Sequence, residues 1–203
     1  MANYLMELFG TTWDGMNAGL DDYGLTLEVL EWLRDRNPIF GEFRIYTDED
    51  PGKEWIEWLY ENVKVTKKAI LRIGHQKNLD FDRAFEIEKL EISTPVKLQN
   101  LMKMNSKIVK LTGKLSNKDL NQFFKSWIGG SHEKLKTLKI YHHVNWENLT
   151  EGIDVFEKKS FTRKIRRFHS STSEVFIRNH DGKKAVLKRM LTMEGPRLVF
   201  SIL

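Results

Sequence analysis

Arg44, Arg72, Lys110 and Lys139 stand at matching places in four short runs of alternating apolar residues, and Glu91 holds the same place in a fifth. Each lies between two apolar neighbours, in the pairs Phe43/Ile45, Leu71/Ile73, Leu90/Ile92, Val109/Leu111 and Leu138/Ile140. If each run is a half-buried strand, the residue between the pair points away from the core. Parallel strands in register would then stack the five into one mostly basic column. The chemistry of such a column is recognition of an acidic partner, by steering at long range and ion pairing at contact. Tyr46 and Tyr141 flank it as amphipathic anchors. The alternative is an evenly solvated sheet face.

Catalysis and metal binding find less to work with. The histidines His75, His132, His142, His143, His169 and His180 form no i, i+4 pair and no H-E-x-x-H. Adjacent His142 and His143 would point to opposite sides of an extended chain. No phosphate-binding glycine loop or nucleophile elbow occurs, and Gly129-Gly130-Ser131 follows a helical pattern, where a phosphate loop must precede one. The carboxylates Asp48 to Asp50 and Asp80 with Asp82 sit beside turns and helix starts, where capping is the commoner task. With no cysteine there is no thiolate nucleophile, disulfide or sulfur-ligated metal. The expectation is a protein without enzymatic activity, metal or cofactor.

These residues need elements to position them. The second apolar members, at 45, 73, 92, 111 and 140, are spaced by 28, 19, 19 and 29 residues, close to a leucine-rich-type repeat. The asparagine that such a repeat places three residues on is absent, those positions holding Asp48, Gln76, Pro95, Lys114 and His143. The repeat is therefore degenerate, and other βα stacks with short crossovers stay open. Between the strands the period turns helical. Asp50-Pro51 opens a stripe of Trp55, Ile56, Leu59 and Val63, and shorter stretches follow at Phe81, Ala84, Phe85 and at Leu98, Leu101, Met102. The clearest helix has Ser116 and Asp119 as a capping box, then Leu120, Phe123, Phe124, Trp127 and Ile128, with Gly129 as its stop.

The expected architecture is α/β. A degenerate leucine-rich-repeat-like βα stack with a parallel sheet occupies 41–157, behind an acidic helical cap at 1–40 built on Leu25, Val29, Leu30 and Leu33. A basic segment and a small antiparallel β element at 158–203 close it, with His180-Asp181-Gly182 as a hairpin turn. Ile45, Ile73, Ile92, Leu111 and Ile140 should lie side by side, covered by Trp55, Phe124 and Trp127.

Among 203 residues, 40% are hydrophobic and apolar runs stay short, so the composition fits a globular chain with no membrane span. The absence of cysteine fits the cytoplasm or nucleus. The formal charge of +5 conceals −10 over residues 1–62 and +15 over 63–203. The run Lys158 to Phe168 holds six bases and no acid, with Phe161 and Phe168 interleaved, which reads either as a solvated linker or as a nucleic-acid track.

Leu120 to Tyr141, LNQFFKSWIGGSHEKLKTLKIY, resembles the signature stretch of the nematode F-box-associated domain (type 2), L-N-x-F-L-K-x-W-I followed by G-S-N-x-x-L-x-x-L-x-I. Phe124 stands for a leucine there and His132 for an asparagine. Val175 to Leu187, VFIRNHDGKKAVL, is similar to that family's closing I-R-R-x-D-G-x-K-A-T-I, with Asn179 for the second arginine and Val186 for the threonine. The matching positions include Asn121, Trp127, Gly130, Arg178, Asp181 and Gly182. The resemblance spans about residues 60 to 190. It implies a protein-interaction domain like the substrate-holding part of F-box proteins in cullin-type ubiquitin ligases. Residues 1–40 lack the L-P-x-x-L-x-x-x-I type of opening, so binding of the ligase adaptor is not carried over. A nucleic-acid-binding module using the basic C-terminal half is the second reading.

Overall fold

The computed structural model describes residues 12–19, 39–48, 57–58, 61–73, 86–113, 115–141, 145–165, 168–192 and 195–203. The expected cap helix at 25–33, the stretch 80–85, and Asp50, Trp55, Ile56 and Leu59 lie outside these residues. Glu57–Trp58 and Glu61–Asn62 are helical, and the Asn62 side chain donates to the Trp58 carbonyl at 2.8 Å.

Among the described residues the strands are β1 (Thr12–Gly19), β2 (Ile39–Thr47), β3 (Lys64–Ile73), β4 (Lys89–Ile92), β5 (Ile108–Leu111), β6 (Thr137–Ile140), β7 (Val155–Ile165), β8 (Phe168–Arg178), β9 (Lys184–Thr192) and β10 (Gly195–Ile202). The helices are α1 (Leu98–Lys103), α2 (Asn117–Ile128) and α3 (Trp146–Thr150). All ten strands form one sheet in the order β1-β2-β3-β4-β5-β6-β10-β9-β8-β7. β1 to β6 pair in parallel with their chain neighbours, as alternating strand and crossover units do, and β6 then takes β10 antiparallel. The result is a mixed α/β chain with few helices among the described residues and antiparallel C-terminal strands.

The parallel strands sit where the alternation places them, with one correction to register. Ile45 lies opposite Leu71, not Ile73, and Ile73 lies opposite Thr47. The buried row therefore runs Ile45, Leu71, Ile92, Leu111, Ile140 and on to Leu198. A slip of two residues keeps every side chain on its face, so the apolar pattern in Ala69, Leu71 and Ile73 fits both registers. Thr94 locks the observed one beyond the end of β4. Its hydroxyl donates to the Ile73 carbonyl at 2.7 Å and accepts from the Ile73 amide at 3.1 Å.

One element and two boundaries also differ from the sequence reading. Part of the expected helical cap, residues 12–19, is strand β1, and the boundary at 40/41 falls inside β2. The boundary at 157/158 falls inside β7, so the basic run begins as a strand and not as a linker. Its lack of apolar alternation follows from position: β7 is the edge of the sheet, and Lys158, Lys159 and Ser160 are exposed. The closing element is not small either, since β7 to β10 are each longer than β4, β5 or β6.

α2 forms as its sequence dictates. The Ser116 hydroxyl accepts from the Asp119 amide at 3.0 Å, and Asp119 accepts from the Ser116 amide at 3.1 Å. Its buried stripe is Leu120, Phe123, Phe124 and Trp127. Phe200 of β10 meets both Phe124, at 5.4 Å between ring centroids, and Trp127, edge-on at 5.0 Å. One continuous apolar cluster thus runs from Phe40 and Phe43 through α2 to Val175, Ile177, Leu187 and Phe200. The loop before α2 crosses Thr94-Pro95 so tightly that a Cβ on Gly113 would lie 2.5 Å from the Pro95 Cα, which only glycine permits.

Trp127 is 2% exposed. Trp127→Ala is expected to lower unfolding free energy by about 3–5 kcal/mol, because a large buried aromatic is lost and a cavity left. Urea denaturation of the full chain measures it.

Candidate functional site

The described helices all pack on the face that carries Phe43, Leu90, Leu138 and Phe200, leaving the opposite face to the residues between the apolar pairs. Across that face, which carries no helix among the described residues, one register row reads Arg44, Ile70, Glu91, Lys110, Lys139, Val199, Lys188, Glu174 and Lys159. Four of the five residues expected in the basic column are present in order. Arg72 is not: the two-residue slip of β3 puts Ile70 in its place and sets Arg72 opposite Tyr46. The row is therefore less basic than the sequence suggests, because buried Ile70 interrupts it.

Its charges are partly matched within the sheet. Lys110 donates to Glu91 at 2.7 Å, and that carboxylate belongs to a residue only 7% exposed. Arg44 donates to Glu42 at 3.1 Å, both half-exposed. That bond holds the Glu42 carboxyl below its ordinary range and raises the Arg44 guanidinium, with Tyr46 adding to the latter. Lys188 pairs with Glu174 directly opposite, at 2.8 Å. Lys139 is exposed and makes no ion pair among the described residues, and its register neighbour is the like-charged Lys110.

One strand position further on, cations lie over tyrosine rings. Arg72 sits 5.4 Å from the Tyr46 centroid, Lys110 5.6 Å from Tyr141, and Arg197 4.4 Å from Tyr141. Both flanking tyrosines thus join the basic residues. Arg197 was not legible as part of this group, because it arrives on β10 from the far end of the chain and faces β6 only through antiparallel pairing.

The remaining predicted positions gather at a different place. Asn121 is buried and donates to the carbonyls of Leu149 and Glu151, both at 2.9 Å, tying α2 to the end of α3. Gly130 has φ +101°, and a Cβ there would fall 2.4 Å from the His180 ring. The His180 amide donates to the Ile128 carbonyl at 2.9 Å. The β8–β9 turn is built by Asn179, whose side chain accepts from the Lys183 amide at 2.8 Å, with Gly182 at φ +81°. Asp181 pairs with His180 at 2.8 Å and sits 4.0 Å from Lys183. Asn121, Trp127, Gly130, Asp181 and Gly182 therefore form a joint between α2 and the antiparallel strands, whereas Arg178 points to the face opposite the described helices, its guanidinium over Phe156. His75, His142 and His143 lie outside the described residues.

His132 lies two residues beyond Gly130 and faces the end of α1. It has φ +61°, a conformation that histidine and, still more, asparagine tolerate. Its ring stacks on Phe123 at 4.7 Å, Nδ1 faces the Met104 carbonyl at 3.4 Å, and Nε2 is buried without a partner among the described residues. Burial lowers its pKa below the ordinary imidazole value, the Met104 carbonyl opposing this only in part.

Fold and face together define a mixed α/β chain whose sheet carries the described helices on one face and a row of mostly charged residues, broken by Ile70 and Val199, on the other. Residues 76–140, including β4, α1, β5, α2 and β6, match the family model described as F-box associated, in agreement with the type-2 resemblance read from Leu120 to Tyr141. Comparison with curated proteins and with solved structures found no match.

The depressed His132 fixes a pH dependence. Between the folded value and the unfolded value of about 6.5, the unfolded chain holds more protons, so stability falls as pH drops through that window. His132→Asn is expected to reduce the stability difference between about pH 8 and about pH 5, and to be well tolerated at the left-handed position. Denaturant titrations of both proteins at the two pH values measure this.

Proposed function

We infer that this chain is a non-enzymatic protein-interaction module whose charged sheet face, opposite the described helices, receives an acidic partner. The observation that carries the reading is the convergence of Arg44, Arg72, Lys110, Lys139 and Arg197 with Tyr46 and Tyr141, with Lys139 left beside Lys110 without a counter-ion among the described residues. Aromatic rings and guanidinium groups are the side chains from which interface anchors are most often built. The F-box-associated match supports an interaction role. On that basis the module holds substrates for a cullin-type ubiquitin ligase in the cytoplasm or nucleus. Its strand order, each parallel strand beside its chain neighbour, agrees with descent from a degenerate leucine-rich-type stack.

The residues to alter follow from the geometry. Lys110 is unsuitable, because reversing it would set a second carboxylate against buried Glu91 and cost about 1–3 kcal/mol through an unpaired polar group. Arg72 and Lys139 are exposed and form no ion pair among the described residues. Arg72→Glu with Lys139→Glu is expected to leave unfolding free energy within about 1 kcal/mol. Co-purifying proteins should fall sharply at low salt, with the gap between variant and wild type closing as salt is raised. Affinity purification from cells with quantitative mass spectrometry reads this out. An unchanged protein set would overturn the reading, as would salt-sensitive capture of RNA in place of proteins.

A further inference from the structure

Phe156 is 43% exposed, and the backbone puts it there. The pairing of β7 with β8 slips between Val155 and Glu157, so Phe156 is the extra residue of a bulge. Val155 packs on the core, while Phe156 meets Phe176 with 6.1 Å between ring centroids. Bulges re-aim side chains, often beside functional sites. Here the bulge adds a second aromatic ring to a surface where regular alternation would supply only one.

Three cations lie over these two rings. Arg178 is 5.3 Å and Lys184 5.9 Å from the Phe156 centroid, and Lys159 is 4.9 Å from that of Phe176. Arg178 and Lys184 are register partners, so two like charges face each other across the β8–β9 ladder, a destabilising arrangement. The nearby carboxylates are engaged elsewhere: Glu157 with Lys159 at 2.8 Å, Glu174 with Lys188 at 2.8 Å, and Asp181 with His180. Neither Arg178 nor Lys184 forms an ion pair among the described residues. A stacked guanidinium keeps its N–H edge available while its rotamer is already restricted, so less entropy is lost when an anion docks.

We propose that Phe156, Phe176, Arg178 and Lys184 form a docking site for an acidic–aromatic peptide segment of a protein partner. A carboxylate of the peptide bridges Arg178 and Lys184, and the neighbouring apolar side chain covers the exposed Phe156 ring beside half-buried Phe176. The adjoining rings favour a peptide over a bare anion, which would use the charges alone. This site rests on the reading of the chain as an interaction module, but it lies at the β8–β9 hairpin end of the sheet and uses neither Arg72 nor Lys139.

The test is a 1H–15N spectrum of the full chain titrated with the pentapeptide Gly-Glu-Phe-Glu-Gly blocked at both ends, with its Gln-for-Glu counterpart, and with inorganic phosphate. The acidic peptide is expected to shift the amides of Phe156, Phe176, Arg178 and Lys184, and the other two probes to shift them far less. Arg178→Glu with Lys184→Glu should weaken the interaction by about tenfold or more. Phe156→Ser, at an exposed position, should weaken it too and serves if the double variant fails to fold. Absence of shifts at these amides would overturn the site, as would equal shifts from the Gln peptide or from phosphate. Shifts confined to the Arg72 and Lys139 amides would also overturn it while leaving the proposed sheet face standing. The salt-dependent co-purification experiment decides that face independently.

Discussion

The antiparallel seam between β6 and β10 holds the two halves of this molecule together. β6 is only four residues long, and without β10 it would be the open edge of the parallel strands. β10 supplies the missing ladder and also delivers Phe200 between Phe124 and Trp127. Hydrogen bonding and packing therefore act at the same place. The helix that covers the parallel strands is thereby also the helix that anchors the antiparallel ones.

The family-like positions take on physical meaning at this seam. Asn121 satisfies two carbonyls at the end of α3, Gly130 makes room for the His180 ring, and Asn179 with Gly182 folds the turn that brings that ring in. The two stretches that resemble one family, Leu120–Tyr141 and Val175–Leu187, are thus two sides of one contact. His132 illustrates the same logic: a left-handed backbone favours the asparagine of the family pattern, and the imidazole found here gains stacking on Phe123 at the expense of a buried nitrogen without a partner. Most of these residues specify architecture. The exposed cations and rings on the opposite face are what remain for recognition.

Much of this was legible in the sequence, for identifiable reasons. α2 could be read from end to end because a capping box, an i, i+3, i+4, i+7 stripe and a terminal glycine all agree. The alternating pairs located β2 to β6, yet the position of Arg72 was misread because a period-two pattern says nothing about a slip of two. β1 and β7 leave little trace in the sequence, since edge strands need no apolar alternation and TWDGMNAG and VFEKKSFTRKI carry none. Phe156 and Arg197 depend on a bulge and on a pairing between distant strands, and neither leaves a local signal.

The seam also orders events during synthesis. β1 to β6 pair with chain neighbours, so each can join the growing sheet soon after the ribosome releases it, whereas β10 is made last among the described strands and inserts between β6 and β9. Until it arrives, the backbone of β6 and the apolar flank of α2 have no cover from the strand that will protect them. A nascent or stalled chain ending before Leu198 would expose an unpaired strand beside Phe124 and Trp127, the combination that molecular chaperones recognise and that seeds misassembly. Closure of the sheet therefore waits on the strand that lies farthest along the chain from β6, its parallel-side neighbour.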